Sequence, residues 1–212
     1  MNNYSEIKIP SYLVEGNVEM SLDLDEYLNW FLSIKHGRLQ LFYGLVFNTE
    51  KIDFSIDKLK AIYYFLKDNI STKPLSEVEI KQKKENLPLH VRNLNTNVDK
   101  EFKFVEPTFS LVFDLSIYIG ELLLSEVPNL SWDIERDFDL VNYGVPKIIK
   151  NTQTKNEGFS PYWNLMTLTG QIYRNEADED ILIKYYNKWK DNLLGKKIDY
   201  LAMVDKWSKG KK

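Results

Sequence analysis

The sequence predicts a single, mainly helical α+β domain over residues 1–212, with five to six helices and a small β-sheet. Apolar residues recur at spacings of three and four in several segments, which is typical of amphipathic helices. Segments near 7–14, 39–47, 132–140 and 145–149 have the alternation or the short apolar run expected of strands. Hydrophobic residues make up 43% of the chain and aromatic residues 14%, so a substantial core can form.

The first half of the chain predicts two helices separated by an ambiguous segment. Asp23 is a candidate N-cap with Glu26 three residues later, as in a capping box, and Gly37 is expected to end that helix. Residues 39–47 are apolar and aromatic, so they could be either a buried strand or a buried helix. The second helix is predicted over residues 55–69.

The region 71–107 is predicted to be a long loop or an insertion around one charged helix. Ser76 and Glu79 form a second capping box, and the helix ends by Pro88. Residues 88–107 are polar and rich in Asn, which indicates a long loop or a hairpin.

The second half contains the clearest helix, over residues 108–126. Its apolar face is so wide that we expect it to be central in the fold. A later helix starts at Ser160 with Pro161 in its first position, a favoured place for proline. A last helix is predicted over residues 178–194.

Composition argues against several classes of function. Net charge is −3, from 28 basic and 31 acidic residues, so the chain lacks the basic footprint of a nucleic-acid binder. There is no Cys and no glycine-rich phosphate loop, and we expect neither a metal nor a cofactor. No signal peptide and no uncharged span of membrane length is visible, so we expect a cytoplasmic protein without a membrane partner.

One polar stripe on the helix over residues 108–126 could carry chemistry. It consists of Asp114, Tyr118, Glu121 and Ser125, which return to the same side of the helix. Two stacked carboxylates could serve as acid and base or bind a cation. The other interpretation is that the stripe is the solvated side of an amphipathic helix.

A second candidate is acidic. Along a strand over residues 132–140, Asp133, Glu135, Asp137 and Asp139 would share one face. This face could be a solvated strand surface, a docking surface for a basic protein, or a site for a divalent cation. A calcium-type glycine loop is missing, which disfavours the cation.

Aromatic residues are candidates for interface anchors. Most of them are expected in the core, but Tyr and Trp are also enriched at protein interfaces. Trp132, which begins the acidic strand, and Trp163, near the start of a later helix, are therefore included among the candidate binding residues.

The pattern Tyr118-x-Gly120-Glu121, followed by Trp132 and by Ser160 before a proline, resembles uncharacterised bacterial protein families. Some of these look like the immunity partners of toxins. The resemblance covers residues 108–170 and implies a binding role, with no catalytic residue to transfer.

Three functions follow from these observations. The first is an intracellular bacterial protein-interaction protein, of immunity type, that binds a basic partner. The second is a hydrolase-like or small-molecule-binding enzyme that uses Asp114 and Glu121, with Tyr118 as a hydrogen-bond donor. The third is a structural or oligomeric scaffold; the sequence leaves the oligomeric state open.

Overall fold

The fold is a mainly helical α+β arrangement, as the sequence predicts. The computed structural model describes residues 4–8, 23–86, 102–140, 142–151 and 158–196. Over these residues it contains six helices and two small antiparallel sheets, one with two strands and one with three.

Helix α1 (Leu24–Phe47) is one long helix with a defined cap at each end. The carboxylate of Asp23 accepts hydrogen bonds from two backbone N–H groups of the first turn, one of them that of Glu26. At the other end, Asn48 adopts a left-handed conformation with φ of 52°, and its N–H donates to the carbonyl oxygen of Gly44. The predicted start of this helix is therefore confirmed.

The predicted end of α1 at Gly37 is wrong. A glycine inside a helix costs about 1 kcal/mol relative to alanine. The turns that follow it bury Leu39, Phe42 and Tyr43 almost completely, and each such side chain contributes roughly 1.5–3 kcal/mol. Burial therefore outweighs the glycine, and residues 39–47, for which a strand was one of the two expectations, are helical.

The region 71–107 holds more regular structure than a loop. After α2 (Lys58–Asn69), a short strand β1 (Thr72–Pro74) pairs antiparallel with β2 (Phe102–Phe104). Between them lies α3 (Glu77–Asn86). The rest of the segment between α3 and β2 lies outside the described residues.

The capping box at the start of α3 is confirmed. The backbone N–H of Ser76 donates to the carboxylate of Glu79 at 2.9 Å, and the backbone N–H of Glu79 points back to the Ser76 hydroxyl at 3.4 Å. Two backbone donors that the helix itself leaves unpaired are thereby satisfied.

Helix α4 (Thr108–Glu126) has the predicted bounds and the predicted central place. Thirteen of its 19 residues are buried, and it packs against α1 and the later helices. By length and composition it could also cross a membrane, but 72% of its most apolar window is buried within this fold, as in the core helix of a soluble protein.

The three-stranded sheet consists of β3 (Leu130–Ile134), β4 (Pro146–Lys150) and β5 (Gly158–Phe159), in that spatial order. Strand β4 confirms the prediction near 145–149. The predicted strand over residues 132–140 is too long, since β3 ends at Ile134, which is the third residue of the predicted range. There the carboxylate of Glu135 accepts hydrogen bonds from the N–H groups of the next two residues, which turns the chain away from the sheet.

Two helices complete the described chain. Helix α5 (Pro161–Tyr173) begins with the proline expected at its first position. Helix α6 (Ile181–Leu193) is shorter than the predicted range 178–194, and Gly195 follows it with φ of 77°. The last expected strand, near 7–14, falls mostly outside the described residues, and residues 4–8 form neither helix nor strand.

The core lies around α4 and is filled by side chains from all helices except α3, together with the three-stranded sheet. Aromatic rings make up much of it. For example, Phe159 stacks on Trp189 with ring centroids 4.0 Å apart, and Tyr186 is fully buried. Most of the aromatic residues therefore serve the core, as expected.

Candidate functional site

The first residue of the polar stripe, Asp114, is buried in an ion pair. Its side chain has no exposed surface. Arg38 of α1 binds it through two parallel hydrogen bonds, from Nε to Oδ1 at 2.8 Å and from Nη2 to Oδ2 at 2.6 Å. The hydroxyl of Tyr4 also donates to Oδ2. The carboxylate is therefore occupied on both oxygens by protein groups.

This ion pair attaches the described N-terminal residues to the helices. Arg38 donates a further hydrogen bond to the carbonyl oxygen of Ser5 at 2.9 Å. One turn before Asp114 on α4, the hydroxyl of Ser110 accepts a hydrogen bond from the backbone N–H of Ile7 at 2.9 Å. Polar residues of α1 and α4 therefore bind the backbone of Ser5 and Ile7 and hold this segment against the two helices.

The protonation of this cluster follows from its burial. Burial raises the pKa of Asp114 to about 6, although the hydrogen bonds from Arg38 and Tyr4 act in the opposite direction. Burial and the adjacent carboxylate also raise the pKa of Tyr4. Burial alone would lower the pKa of Arg38, but its bonds to Asp114 raise it. At neutral pH the cluster is thus an ion pair with a neutral phenol.

The second residue of the stripe, Tyr118, is buried as well. Its hydroxyl accepts a hydrogen bond from the backbone N–H of Ser55 at 3.2 Å and donates to the carbonyl oxygen of Asp53 at 3.0 Å. Burial raises the pKa of Tyr118. The side chain therefore fastens the connection between α1 and α2 to the central helix.

Glu121 and the nearby glycine hold an aromatic ring. The carboxylate of Glu121 accepts hydrogen bonds from Nε1 of Trp132 at 2.7 Å and from Nζ of Lys35 at 2.5 Å. The Trp132 indole lies directly on Gly120, and a Cβ at that position would overlap the ring. The pattern Tyr118-x-Gly120-Glu121 with Trp132 is therefore a packing arrangement between α4 and β3.

The stripe as a whole does not form a cleft with acid and base. Asp114 and Glu121 are bound by different cations from α1, and Ser125 donates to the carbonyl oxygen of Leu122 in its own helix. The interpretation as a solvated helix side is also wrong for Asp114 and Tyr118, which are fully buried. The carboxylates of this stripe lie on a central helix because they bind Arg38 and Lys35 of α1 and, in the case of Asp114, Tyr4 of the N-terminal segment.

The acidic segment after Trp132 is divided between the interior and the surface. Glu135 is buried and accepts a hydrogen bond from Nζ of Lys147 at 2.9 Å, where the two side chains are 5% and 3% exposed. Burial opposes ionisation, but the hydrogen bonds from Lys147 and from backbone N–H groups prevail and lower the pKa of Glu135. Glu135 therefore belongs to the supporting structure and is not part of a surface.

The other three carboxylates of the expected row differ in orientation and exposure. Asp133 accepts a hydrogen bond from the N–H of Ile134 at 2.8 Å, and its side chain is 15% exposed. Asp137 is partly exposed and accepts one from the N–H of Asp139, whose side chain is exposed. Since β3 ends at Ile134, the four carboxylates do not share one strand face, and that expectation is wrong.

The segment between β3 and β4, residues 135–145, is named the acidic loop below; residue 141 lies outside the described residues. Its tip exposes two large apolar side chains, Phe138 at 59% and Leu140 at 42%. The ring of Phe138 contacts that of Tyr143 at 5.2 Å between centroids, in a T-shaped arrangement. Phe138 thus holds a defined position while most of its surface faces solvent.

Several contacts brace the acidic loop. At its base, the N–H of Glu135 donates to the carbonyl oxygen of Val145 at 3.0 Å, and the N–H of Gly144 donates to that of Glu135 at 2.9 Å. On its outer side, Nη2 of Arg136 binds the carboxylate of Asp25 at the start of α1, at 2.6 Å. The loop is therefore tied both to the sheet and to α1.

The sequence pattern missed Phe138 and Leu140 as surface residues. In a strand extended to residue 140, they would lie on the same side as Trp132, opposite the four carboxylates. Arg136 lies between them and Trp132 on that same face, and a charge on an otherwise apolar strand face is the signal that the strand has ended.

The two tryptophans among the candidate binding residues have different environments. Trp132 is 9% exposed and packs edge-on against Phe31 at 4.9 Å between ring centroids. Trp163, on α5, is 42% exposed. Only Trp163 can therefore contact a partner without rearrangement.

Metal binding has no support in the described ranges. Over these residues, no group of three or more His, Asp or Glu side chains is arranged to hold an ion. Comparison with other proteins adds no assignment, since no protein-family model, no curated protein and no solved structure matches this chain.

Proposed function

We propose that this chain is a protein-binding protein of the bacterial immunity type, which engages a basic partner inside the cell through the acidic loop. The observation that carries the proposal is the exposure of Phe138 and Leu140, at 59% and 42%, next to the carboxylates of Asp137 and Asp139. An apolar centre that includes an aromatic ring, with a polar and charged rim, is typical of protein interfaces.

The energetic argument begins with the apolar side chains. A mostly exposed Phe and a partly exposed Leu gain free energy when a partner removes them from water, on the order of 25 cal/mol per Å² of apolar surface. The acidic loop is already braced by the Arg136–Asp25 ion pair and by the Phe138–Tyr143 contact. Less conformational entropy is then lost on binding than for a free loop.

The charges near the loop indicate the partner's chemistry. The exposed carboxylates of Asp25 and Asp139 and the partly exposed one of Asp137 lie on or beside the acidic loop, and its exposed cation, Arg136, is paired with Asp25. The chain as a whole has a net charge of −3. A basic partner would be attracted to this side and would associate faster at low ionic strength.

The enzymatic alternative has less support from the geometry. Catalysis by a carboxylate requires an atom that can reach a substrate. Asp114 is fully buried with both oxygens bound, and the carboxylate of Glu121 holds Trp132 and Lys35. Neither group lines the pocket that lies between α1, α4 and α5.

Capture from a lysate of the native host, followed by binding with the purified partner, tests the proposal. We expect a basic partner whose affinity falls about 30-fold or more in the Phe138→Ala/Leu140→Ala variant, as for two anchors worth about 2 kcal/mol together. The reversal Asp137→Lys/Asp139→Lys should slow association. The matched control is Val78→Ala, which removes an apolar side chain that is 65% exposed on α3.

Two results would count against this function. One is a partner whose affinity is the same for the loop variants and for Val78→Ala, because the binding surface would then lie elsewhere. The other is a partner that binds equally well at low and high salt, since charge attraction across an exposed interface is screened by salt.

A further inference from the structure

A small pocket opens beside the acidic loop, between α1, α4, α5 and the start of β4. Its volume is about 140 Å³. The lining is mostly apolar and consists of Tyr27, Phe113, Ser116, Val145, Pro146 and Tyr162. Three of these six are buried, and the other three are partly exposed and lead to the surface: Phe113, Val145 and Tyr162.

Aromatic rings dominate the walls of this pocket. Phe113 and Tyr162 meet edge to face, with centroids 6.2 Å apart, and Tyr27 lies beside Trp30 at 5.2 Å. Rings arranged in this way favour another ring in offset or edge contact. An apolar cavity of about 150 Å³ is known to accept benzene, so the space here fits one six-membered ring.

Three side chains of the pocket carry a hydroxyl group, and those of the two tyrosines have hydrogen-bonding capacity left for a ligand. The hydroxyl of Ser116 is already used, since it donates to the carbonyl oxygen of Phe113 at 2.6 Å. By contrast, the hydroxyls of Tyr27 and Tyr162 make no hydrogen bond with any of the described residues. A ligand with an acceptor atom could receive a hydrogen bond from either hydroxyl.

The lining of the pocket argues against an anionic ligand, because none of its six residues is a Lys, Arg or His that could pair with a negative charge. Burial, together with the carboxylate of Glu106, raises the pKa of Tyr162 to about 12. Burial likewise raises the pKa of Tyr27 to about 12. An anionic group placed beside these phenols would meet the same desolvation and the same repulsion from Glu106.

We propose that this pocket binds a neutral molecule with a single aromatic ring and a hydrogen-bond acceptor, such as an aromatic amide. The ring fills the space between Phe113 and the two tyrosines, and the acceptor receives a hydrogen bond from the Tyr27 or Tyr162 hydroxyl. This site is separate from the exposed tip of the acidic loop, and it does not depend on the proposed protein partner.

Benzamide is the probe that tests this site, with two-dimensional amide NMR of the full chain as the readout. We expect saturable shifts at millimolar concentration or below, centred on residues 113–116 and on Val145. Benzoate, which has the same ring but a negative charge, should bind at least tenfold more weakly. The affinity for toluene, which has no hydrogen-bond acceptor, should not depend on the hydroxyls of Tyr27 and Tyr162.

Conservative variants separate this role from simple packing. Tyr27→Phe and Tyr162→Phe keep the rings, and together they should weaken benzamide about tenfold while leaving toluene unchanged. Tyr64→Phe is the matched control, because it removes a phenol hydroxyl from the exposed face of α2. Thermal melting of each variant establishes that the fold is retained.

The proposal is overturned by any of three results. Benzamide shifts that stay linear in concentration would show that no site exists. Equal affinity in the double Tyr→Phe variant would show that the hydroxyls play no part. Benzoate binding as tightly as benzamide would show that the pocket does not exclude anions.

Discussion

At the scale of single residues, carboxylate side chains have different roles that depend on their burial. Asp114 and Glu135 are internal and paired with cations, whereas Asp139 is exposed on the acidic loop. The sequence showed that carboxylates are concentrated on α4 and around the end of β3. It could not identify which were internal, because the partner Arg38 is 76 residues from Asp114 in the chain and Lys147 comes from another strand.

The buried carboxylate of Asp114 predicts a large loss of stability when an amide replaces it, because an amide NH2 group cannot accept the hydrogen bonds that Arg38 and Tyr4 donate. In Asp114→Asn, Arg38 stays in a site where its side chain is only 12% exposed but loses its charged partner. Breaking one side of a buried pair costs about 3–5 kcal/mol. We expect a loss of about 3 kcal/mol in the free energy of unfolding, measured by urea denaturation.

Glu121→Gln is the matched control for Asp114→Asn, because both replace a carboxylate with an amide on the same stripe of α4. Glu121 and Lys35 are 19% and 25% exposed, so solvent screens their attraction, and the loss should be about 1 kcal/mol. Equal losses in the two variants would be inconsistent with Asp114 as the central buried ion pair.

Glu135 predicts how the stability of the fold changes at acid pH. Its pKa is lowered in the folded protein, so its ionisation stabilises the fold above its unfolded pKa of about 4.3. That contribution is lost as the pH falls through the folded value. Glu135→Gln should be less stable than the native chain near pH 7, and its stability should fall less between pH 4.5 and pH 3. Parallel pH profiles of unfolding for the two proteins would disprove this assignment.

At the scale of elements, local patterns predict some boundaries well and others poorly. The bounds of α4 follow from a long apolar repeat that ends before Pro128, and the caps at Asp23 and Ser76 are local signals. The continuation of α1 past Gly37 depends on burial against distant elements, which no local pattern contains. The early end of β3 depends on hydrogen bonds of Glu135 with the turn that follows.

Two of the glycines inside helices, Gly37 and Gly120, provide a matched test of packing. A Cβ at Gly120 would overlap the ring of Trp132, whereas a Cβ at Gly37 meets no atom within 4 Å. Gly120→Ala should therefore lower the free energy of unfolding by about 2 kcal/mol, as in an overpacked core. Gly37→Ala should raise it by up to about 1 kcal/mol, because alanine favours the helix.

Thermal or urea unfolding measures both glycine variants, and the opposite signs are the result that matters. If Gly120→Ala also stabilised the protein, Trp132 would have to move freely away from α4. The close contact between α4 and β3 would then not be the reason for the glycine at this position.

At the scale of the whole molecule, the sequence predicted the fold class and the central helix from composition and periodicity. The sequence predicted the acidic loop less well. The side chains that this loop exposes depend on where β3 ends and on which of its charges are paired. Phe138 and Leu140 are exposed because β3 stops at Ile134, and a strand end of this kind is not visible in the alternation of residues 132–140. The acidic character of the segment was visible from the start, but its division into buried and exposed carboxylates was not.

The most direct test of the proposed function is amide hydrogen exchange of the protein with and without its basic partner. We expect new protection in residues 136–144 and at the start of α1 near Asp25, because the partner would cover the acidic loop there. The amides of α4 should be unchanged, since they are already buried in the free protein. Protection confined to another surface, with the acidic loop exchanging as in the free protein, would contradict the proposed function.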